Sequence, residues 1–65
     1  MPFIEVTVVE GRTPAQLRAL ITGLTDAAET ALGASRTTIR VVLREVPETH
    51  WAAGDVTLAE RNKGS

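Results

Sequence analysis

The second residue of this 65-residue chain is a proline whose nitrogen has the chemistry of a base. Initiator methionine is normally removed when the next residue is small, and removal of Met1 leaves Pro2 with a free secondary amine. In water this amine is charged at neutral pH, but burial and neighbouring cations disfavour the charged form and lower its pKa. At the mouth of an apolar pocket beside arginines, Pro2 would serve as a neutral general base. The alternative interpretation is a stiff N-terminal residue ahead of an edge strand.

Arg12 and Arg40 are the two side chains best suited to work with such a base. A guanidinium is planar, permanently charged and shaped to bind a carboxylate through two hydrogen bonds. The alternatives are a solvated loop charge for Arg12 and, for Arg40, an outward strand position paired with Glu5 or Glu45. Arg44 shares the strand face of Arg40, and we interpret it as a solvated or interface residue.

The remaining residues offer little further chemistry, and we expect a site with no metal and no cofactor. The chain contains no Cys, which excludes disulfides, thiol nucleophiles and thiolate metal sites. His50 is the only histidine and cannot complete a zinc shell, so a surface or packing role is expected for it. Packing is also the first interpretation of Trp51.

Two β-branched segments predict a pair of strands at residues 3–9 and 39–46, and Pro47 ends the second. A helix predicted between the two strands makes them parallel. Neighbouring parallel strands need a long crossover connection, whereas a short turn joins antiparallel strands. The period-2 alternation of the strands gives one apolar face formed by Ile4, Val6, Val8, Ile39, Val41 and Leu43.

An amphipathic helix is predicted over residues 14–32. Thr13 can cap its N-terminus, Pro14 suits the first helical position, and Gln16 can complete a capping box. Gly33 follows the last apolar residue of the stripe and can adopt the left-handed C-terminal cap.

After the second strand, residues 50–65 carry a weak alternation that predicts a short hairpin. The final residues, 59–65, are expected to fray. Residues 1–65 then form a single α/β domain, with two parallel strands, one helix and a C-terminal hairpin.

Size and surface predict that this domain associates with further copies of itself. A chain of 6.9 kDa buries only about 60% of the surface that its unfolded form exposes. The sheet face away from the helix carries Phe3, Val9 and Val42, and both sheet edges are open, which invites pairing with another chain.

Charge and hydropathy exclude several classes of protein. A net charge near −1 and a pI of about 5.7 lack the basic footprint of a nucleic-acid binder. No run of 18 apolar residues could span a membrane, and the N-terminus lacks the regions of a secretory signal. We therefore expect a cytoplasmic protein that binds neither nucleic acid nor membranes.

Several short motifs occur together between Met1 and about Gly54. They are Met-Pro at the start, Glu10-Gly11-Arg12-Thr13, Ile39-Arg40-Val41-Val42, Glu45-Val46-Pro47, and Trp51 followed by Gly54. In this combination the chain resembles the 4-oxalocrotonate tautomerase family of the tautomerase superfamily. The resemblance implies the β-α-β tautomerase fold and a homohexamer built as a trimer of dimers. It also implies a cofactor-independent isomerase that catalyses a 1,3-keto–enol shift. The implied substrate is an unsaturated 2-oxo or 2-hydroxy acid, a dicarboxylate such as 2-hydroxymuconate from aromatic degradation.

The resemblance implies roles for five residues. Pro2, once its nitrogen is free, is the general base. Arg12 binds the distal carboxylate of the substrate, while Arg40 from a neighbouring subunit holds the carboxylate and oxygen near the reacting carbon. Trp51 forms an aromatic wall across a subunit boundary, and the backbone N–H of Val9 helps to polarise the reacting carbonyl.

Two positions depart from the family pattern, and two other functions remain alternatives. Thr7 stands where the family often has a side chain with a polar ring. Asp55 stands where the family often has a second glycine after Gly54, so the resemblance supports the C-terminal hairpin less well. A hydratase or dehalogenase of unsaturated acids would need a protonated Pro2 and a carboxylate to activate water, for which Glu10 and Glu45 are candidates. A non-catalytic oligomeric binding protein would retain its initiator methionine, which makes the proline nitrogen an amide.

Overall fold

The computed structural model describes residues 2–63, and Met1, Gly64 and Ser65 lie outside the described residues. In chain order the elements are β1 (Phe3–Val9), α1 (Pro14–Leu32), a first 3₁₀ turn (Arg36–Thr38), β2 (Arg40–Val46), a second 3₁₀ turn (Glu48–His50), β3 (Ala52–Ala53), β4 (Val56–Thr57) and α2 (Leu58–Lys63). Strands β1 and β2 form one sheet, and strands β3 and β4 form a second. The predicted β-α-β order and the C-terminal hairpin are confirmed.

Strands β1 and β2 are parallel, as the helical connection between them predicts. Their register pairs Phe3 with Arg40 and then runs through successive residues to the end of both strands. Strand β2 begins at Arg40 rather than Ile39, because the Ile39 N–H donates to the Arg36 carbonyl at 3.3 Å and closes the first 3₁₀ turn.

Helix α1 begins and ends at the predicted residues. The Gln16 N–H donates to Thr13 Oγ1 at 3.1 Å, and the Thr13 N–H donates to Gln16 Oε1 at 2.9 Å, which completes the capping box. Gly33 is left-handed with φ of 65°, and its N–H donates to the Glu29 carbonyl at 3.0 Å. Neither helix described within residues 2–63 has the length and apolar character needed to cross a bilayer.

The C-terminal hairpin of β3 and β4 forms although Asp55 stands in place of a glycine. Gly54 and Asp55, the two residues between β3 and β4, have φ values of 59° and 67°. A two-residue loop with both φ values positive is a type I′ turn, whose twist matches that of the strands it joins. Aspartate tolerates this left-handed conformation because its short polar side chain can hydrogen-bond locally. The turn therefore needs only one glycine.

Residues 58–63 form helix α2, which corrects the prediction that the chain frays from residue 59. Thr57 and Glu60 form a capping box, with the Glu60 N–H on Thr57 Oγ1 at 3.1 Å and the Thr57 N–H on Glu60 Oε1 at 2.8 Å. The Asn62 amide donates to Glu48 Oε2 at 3.0 Å and joins α2 to the second 3₁₀ turn. The Thr-x-x-Glu spacing at residues 57–60 is a sequence signal for such a helix start.

A single protomer leaves much of its surface uncovered. Its accessible surface is 4779 Å², whereas a compact protein of this mass exposes about 4,000 Å². Its radius of gyration is 15.1 Å, against about 11 Å for a compact domain of this length. Among residues 2–63 only Ala28 and Ile39 are buried, each still 8% exposed, and Phe3 on the sheet face away from α1 is 63% exposed.

Candidate active site

Pro2 lies at the end of the parallel sheet where both strands begin. It precedes β1, and its carbonyl accepts a hydrogen bond from the Arg40 N–H at 3.0 Å. The ring is half-buried. Because this bond extends the β1–β2 ladder by one residue, Pro2 is fixed to the first residue of β2.

The Arg40 guanidinium is anchored to the first 3₁₀ turn of its own chain. Its Nη1 donates to the Thr37 carbonyl at 2.8 Å and makes a longer contact of 3.5 Å with the Ile39 carbonyl. Neither Nε nor Nη2 donates to any residue between 2 and 63. Part of the planar fork of donors thus stays available for a carboxylate or an oxyanion.

The ion pair considered for Arg40 is made instead by Arg44. Arg44 Nε and Nη2 each lie 2.9 Å from Glu5 Oε2, across the two parallel strands. Arg40 therefore has no carboxylate partner within residues 2–63. Glu10 and Glu45, the candidates for activating water, both lie at or beyond the other end of the sheet.

Val9 and Arg12 lie at the end of the sheet where both strands finish. Val9 is the last residue of β1 and pairs with Val46. Arg12 follows the turn at Gly11, is exposed, and makes no hydrogen bond or ion pair with any residue between 2 and 63. Its guanidinium is therefore unneutralised within the described part of the chain.

The two groups of predicted site residues are too far apart to act on one small molecule within a protomer. Seven Cα-to-Cα steps of extended chain lead from Pro2 to Val9, and at 3.3 Å per step this separation is about 23 Å. Residues 2–63 also enclose no cavity within one protomer. The structure thus joins Pro2 with Arg40, and places Val9 and Arg12 elsewhere.

Trp51 links the second 3₁₀ turn to β3. Its side chain is 41% exposed, and its carbonyl accepts the Leu58 N–H at 2.8 Å. The backbone of Trp51 is therefore tied to the start of α2, while the indole retains an open apolar surface. Within residues 2–63 no group of three His, Asp or Glu side chains is arranged to hold a metal ion. A reaction without a cofactor stays a prediction.

Known proteins of one family share this sequence and this fold. The family model described as tautomerase enzyme matches residues 2–61. A probable tautomerase of Ralstonia nicotianae is 50% identical over 56 residues, which cover 86% of this chain and 80% of the relative. The 2-hydroxymuconate tautomerase of Pseudomonas putida is 38% identical over 60 residues, which cover 92% of this chain and 95% of the relative.

The comparison with solved structures identifies the same family and fold. A heterohexameric 4-oxalocrotonate tautomerase from Chloroflexus aurantiacus has a TM-score of 0.89 at 35% identity, covering 92% of this chain and 97% of that one. The chain belongs to the tautomerase family, and the resemblance to 4-oxalocrotonate tautomerases is confirmed.

Proposed function

We propose that this protein is a cofactor-independent tautomerase with the free amine of Pro2 as its general base. The observation that carries the proposal is the bond between the Pro2 carbonyl and the Arg40 N–H at 3.0 Å. It fixes a residue with a basic nitrogen at a defined place on a sheet, in a chain of the tautomerase family. A base held in one position contributes most of its effect through orientation.

The proposed reaction moves one proton and consumes no co-reactant. The neutral Pro2 nitrogen takes a proton from a dienol, or from the carbon next to a carbonyl, and leaves a dienolate. Arg40 and the backbone N–H of Val9 stabilise the oxygen on which negative charge develops. Protonated Pro2 then returns the proton to another carbon, which completes the keto–enol shift.

The complete site is proposed to form between copies of this chain. Pro2 and the Val9–Arg12 segment lie about 23 Å apart in one protomer, so they can meet at one substrate only if different protomers supply them. The uncovered surface of the protomer supports self-association, as does the heterohexameric assembly of a solved relative. We propose a homohexamer in which neighbouring subunits supply Arg40 and Trp51.

The proposed substrate is an unsaturated 2-oxo or 2-hydroxy dicarboxylate such as 2-hydroxymuconate. Two arginines at the opposite ends of the sheet, joined through an assembly, suit a substrate with carboxylates at both ends. The 38% identical relative from Pseudomonas putida is a 2-hydroxymuconate tautomerase, which supports the same substrate class.

The test is the ketonisation of 2-hydroxymuconate, followed by ultraviolet absorbance, on protein whose loss of Met1 has been checked by intact mass. Pro2→Ala is expected to lower kcat by about 10²–10⁴-fold, the usual contribution of a positioned base. Alanine is also small, so the methionine is still removed and the comparison is fair. Full activity of this variant would show that the secondary amine of the proline ring is not required.

A parallel product screen with acetylenic and haloacrylic acids separates the alternatives. Hydration or halide release without ketonisation would replace the tautomerase proposal with a hydratase or dehalogenase. No turnover of either substrate class, together with a retained methionine, would instead favour the non-catalytic binding protein.

A further inference from the structure

Arg36 joins the first 3₁₀ turn to helix α1 through two carboxylates. Its Nη1 lies 2.7 Å from Asp26 Oδ1 and 2.9 Å from Glu29 Oε1. Asp26 and Glu29 are three residues apart and therefore neighbours on one face of the helix. The hydrogen bond with Asp26 raises the pKa of Arg36 above its ordinary value.

The same turn holds the Arg40 guanidinium through its backbone. Thr37, the residue after Arg36, offers its carbonyl to Arg40 Nη1 at 2.8 Å. The Thr38 N–H and hydroxyl both donate to the Ser35 carbonyl, at 2.9 Å and 2.7 Å. Because the turn is bonded internally, a tilt of the turn would displace the Thr37 carbonyl and the guanidinium together.

The tilt of the turn relative to helix α1 is fixed at two points. Ile39 is 8% exposed and anchors the end of the turn that leads into β2. At the other end, Arg36 is the one residue of the turn whose side chain bonds to α1, within residues 2–63. Loss of Arg36 would leave the turn with no side-chain bond to α1 within residues 2–63.

We propose that Arg36, clamped by Asp26 and Glu29, is a positioning residue that orients Arg40 through the carbonyl of Thr37. The inference rests on the proposed catalytic role of Arg40. The clamp sets the direction in which the remaining donors of Arg40 present themselves to a substrate. Ion pairs at such exposed positions contribute little to stability, so the effect of the clamp is on turnover rather than on folding.

The kinetic test compares two exposed arginines. Arg36→Gln removes the charge of the clamp, and Arg18→Gln is its matched control, because Arg18 lies on α1 and, within residues 2–63, its side chain donates only to Thr22 Oγ1 at 3.2 Å. We expect Arg36→Gln to lower kcat about fivefold with KM unchanged, and Arg18→Gln to change neither. Arg36→Lys should recover part of the lost turnover.

The decisive comparison repeats Arg36→Gln in the background of Arg40→Ala. If Arg36 acts through Arg40, the second substitution causes no further loss. A further fivefold loss in that background would overturn the proposal, as would equal effects of Arg36→Gln and Arg18→Gln.

A measurement that needs no activity keeps this inference separate from the proposed function. In ¹⁵N NMR spectra, Arg36→Gln should shift the Arg40 Nε resonance and speed rotation of its guanidinium, whereas Arg18→Gln should do neither. An unchanged Arg40 resonance would overturn the positioning role. A changed resonance in a protein that turns over no 2-hydroxymuconate would uphold the clamp and remove only the proposed reaction.

Discussion

The two ends of the parallel sheet are organised differently. Where the strands begin, Pro2 and Arg40 are joined through the backbone, and the Arg40 guanidinium is held by the carbonyl of Thr37. Where the strands finish, Arg12 extends from a turn, exposed and without a partner among residues 2–63. The first end is preorganised within one chain.

The difference between the ends indicates how the site is divided. Preorganised donors cost no rearrangement when charge develops on the substrate, so the held Arg40 guanidinium suits the chemical step at the site of the neighbouring subunit to which it is supplied. An exposed guanidinium attracts a carboxylate strongly only when another molecule displaces the surrounding water, because water weakens the interaction between charges. The loose end therefore suits the capture of a distant carboxylate, once a second copy brings the two ends together.

The largest expected effect is at the fixed end. Arg40→Ala should lower kcat by about 10²–10³-fold, as expected for loss of a donor to a developing oxyanion. Arg40→Lys keeps the charge but loses the planar fork, so its loss should be smaller. Steady-state kinetics with 2-hydroxymuconate measures both, and a change confined to KM would remove Arg40 from the chemical step.

The loose end should affect binding instead. Arg12→Ala is expected to raise KM by about 10- to 100-fold with kcat retained, because a contact with a remote carboxylate is made equally before and during the reaction. The same assay separates the two parameters. A large loss of kcat with unchanged KM would show that the two ends do not divide the work as inferred.

Mixed oligomers test whether the two ends come from different chains. Pro2→Ala and Arg12→Ala chains, unfolded together and refolded, should recover about one quarter of the wild-type rate at low substrate, since random assembly unites the two intact groups in about that fraction of sites. Each variant refolded alone serves as the control. A mixture no better than the average of its components would contradict a shared site.

The smallest expected effect concerns the turn that carries Arg12. Gly11 has φ of 122°, a conformation that a side chain strains, so Gly11→Ala should lower the free energy of unfolding by about 1–3 kcal/mol. An added Cβ meets nothing within 4 Å at Gly11 or at Gly23 in helix α1. Gly23→Ala should therefore stabilise by about 0.5–1 kcal/mol.

Urea unfolding at one fixed protein concentration measures both glycine variants, because association makes stability depend on concentration. Equal effects of the two substitutions would show that the turn at Gly11 adapts to the side chain. The loose end of the sheet would then be less constrained than its backbone indicates.

Local sequence signals predicted most of the elements. Thr13, Pro14 and Gln16 mark the start of α1 and Gly33 its end, because caps depend on residues only a few positions apart. The same kind of signal occurs at Thr57 and Glu60, where it starts α2 in place of the frayed tail predicted from residue 59. The parallel pairing of β1 and β2 also follows from the sequence, since a helical connection permits little else.

The sequence by itself determined the β-α-β order, the helix limits, the family and the residues able to do chemistry, because residue type and short spacing carry that information. Tertiary structure alone decided that Arg44 rather than Arg40 pairs with Glu5, and that Arg36 reaches Asp26 and Glu29. It also decided that Pro2 and Arg12 lie at opposite ends of the sheet. These relations depend on how distant segments cross in space, which no local pattern specifies.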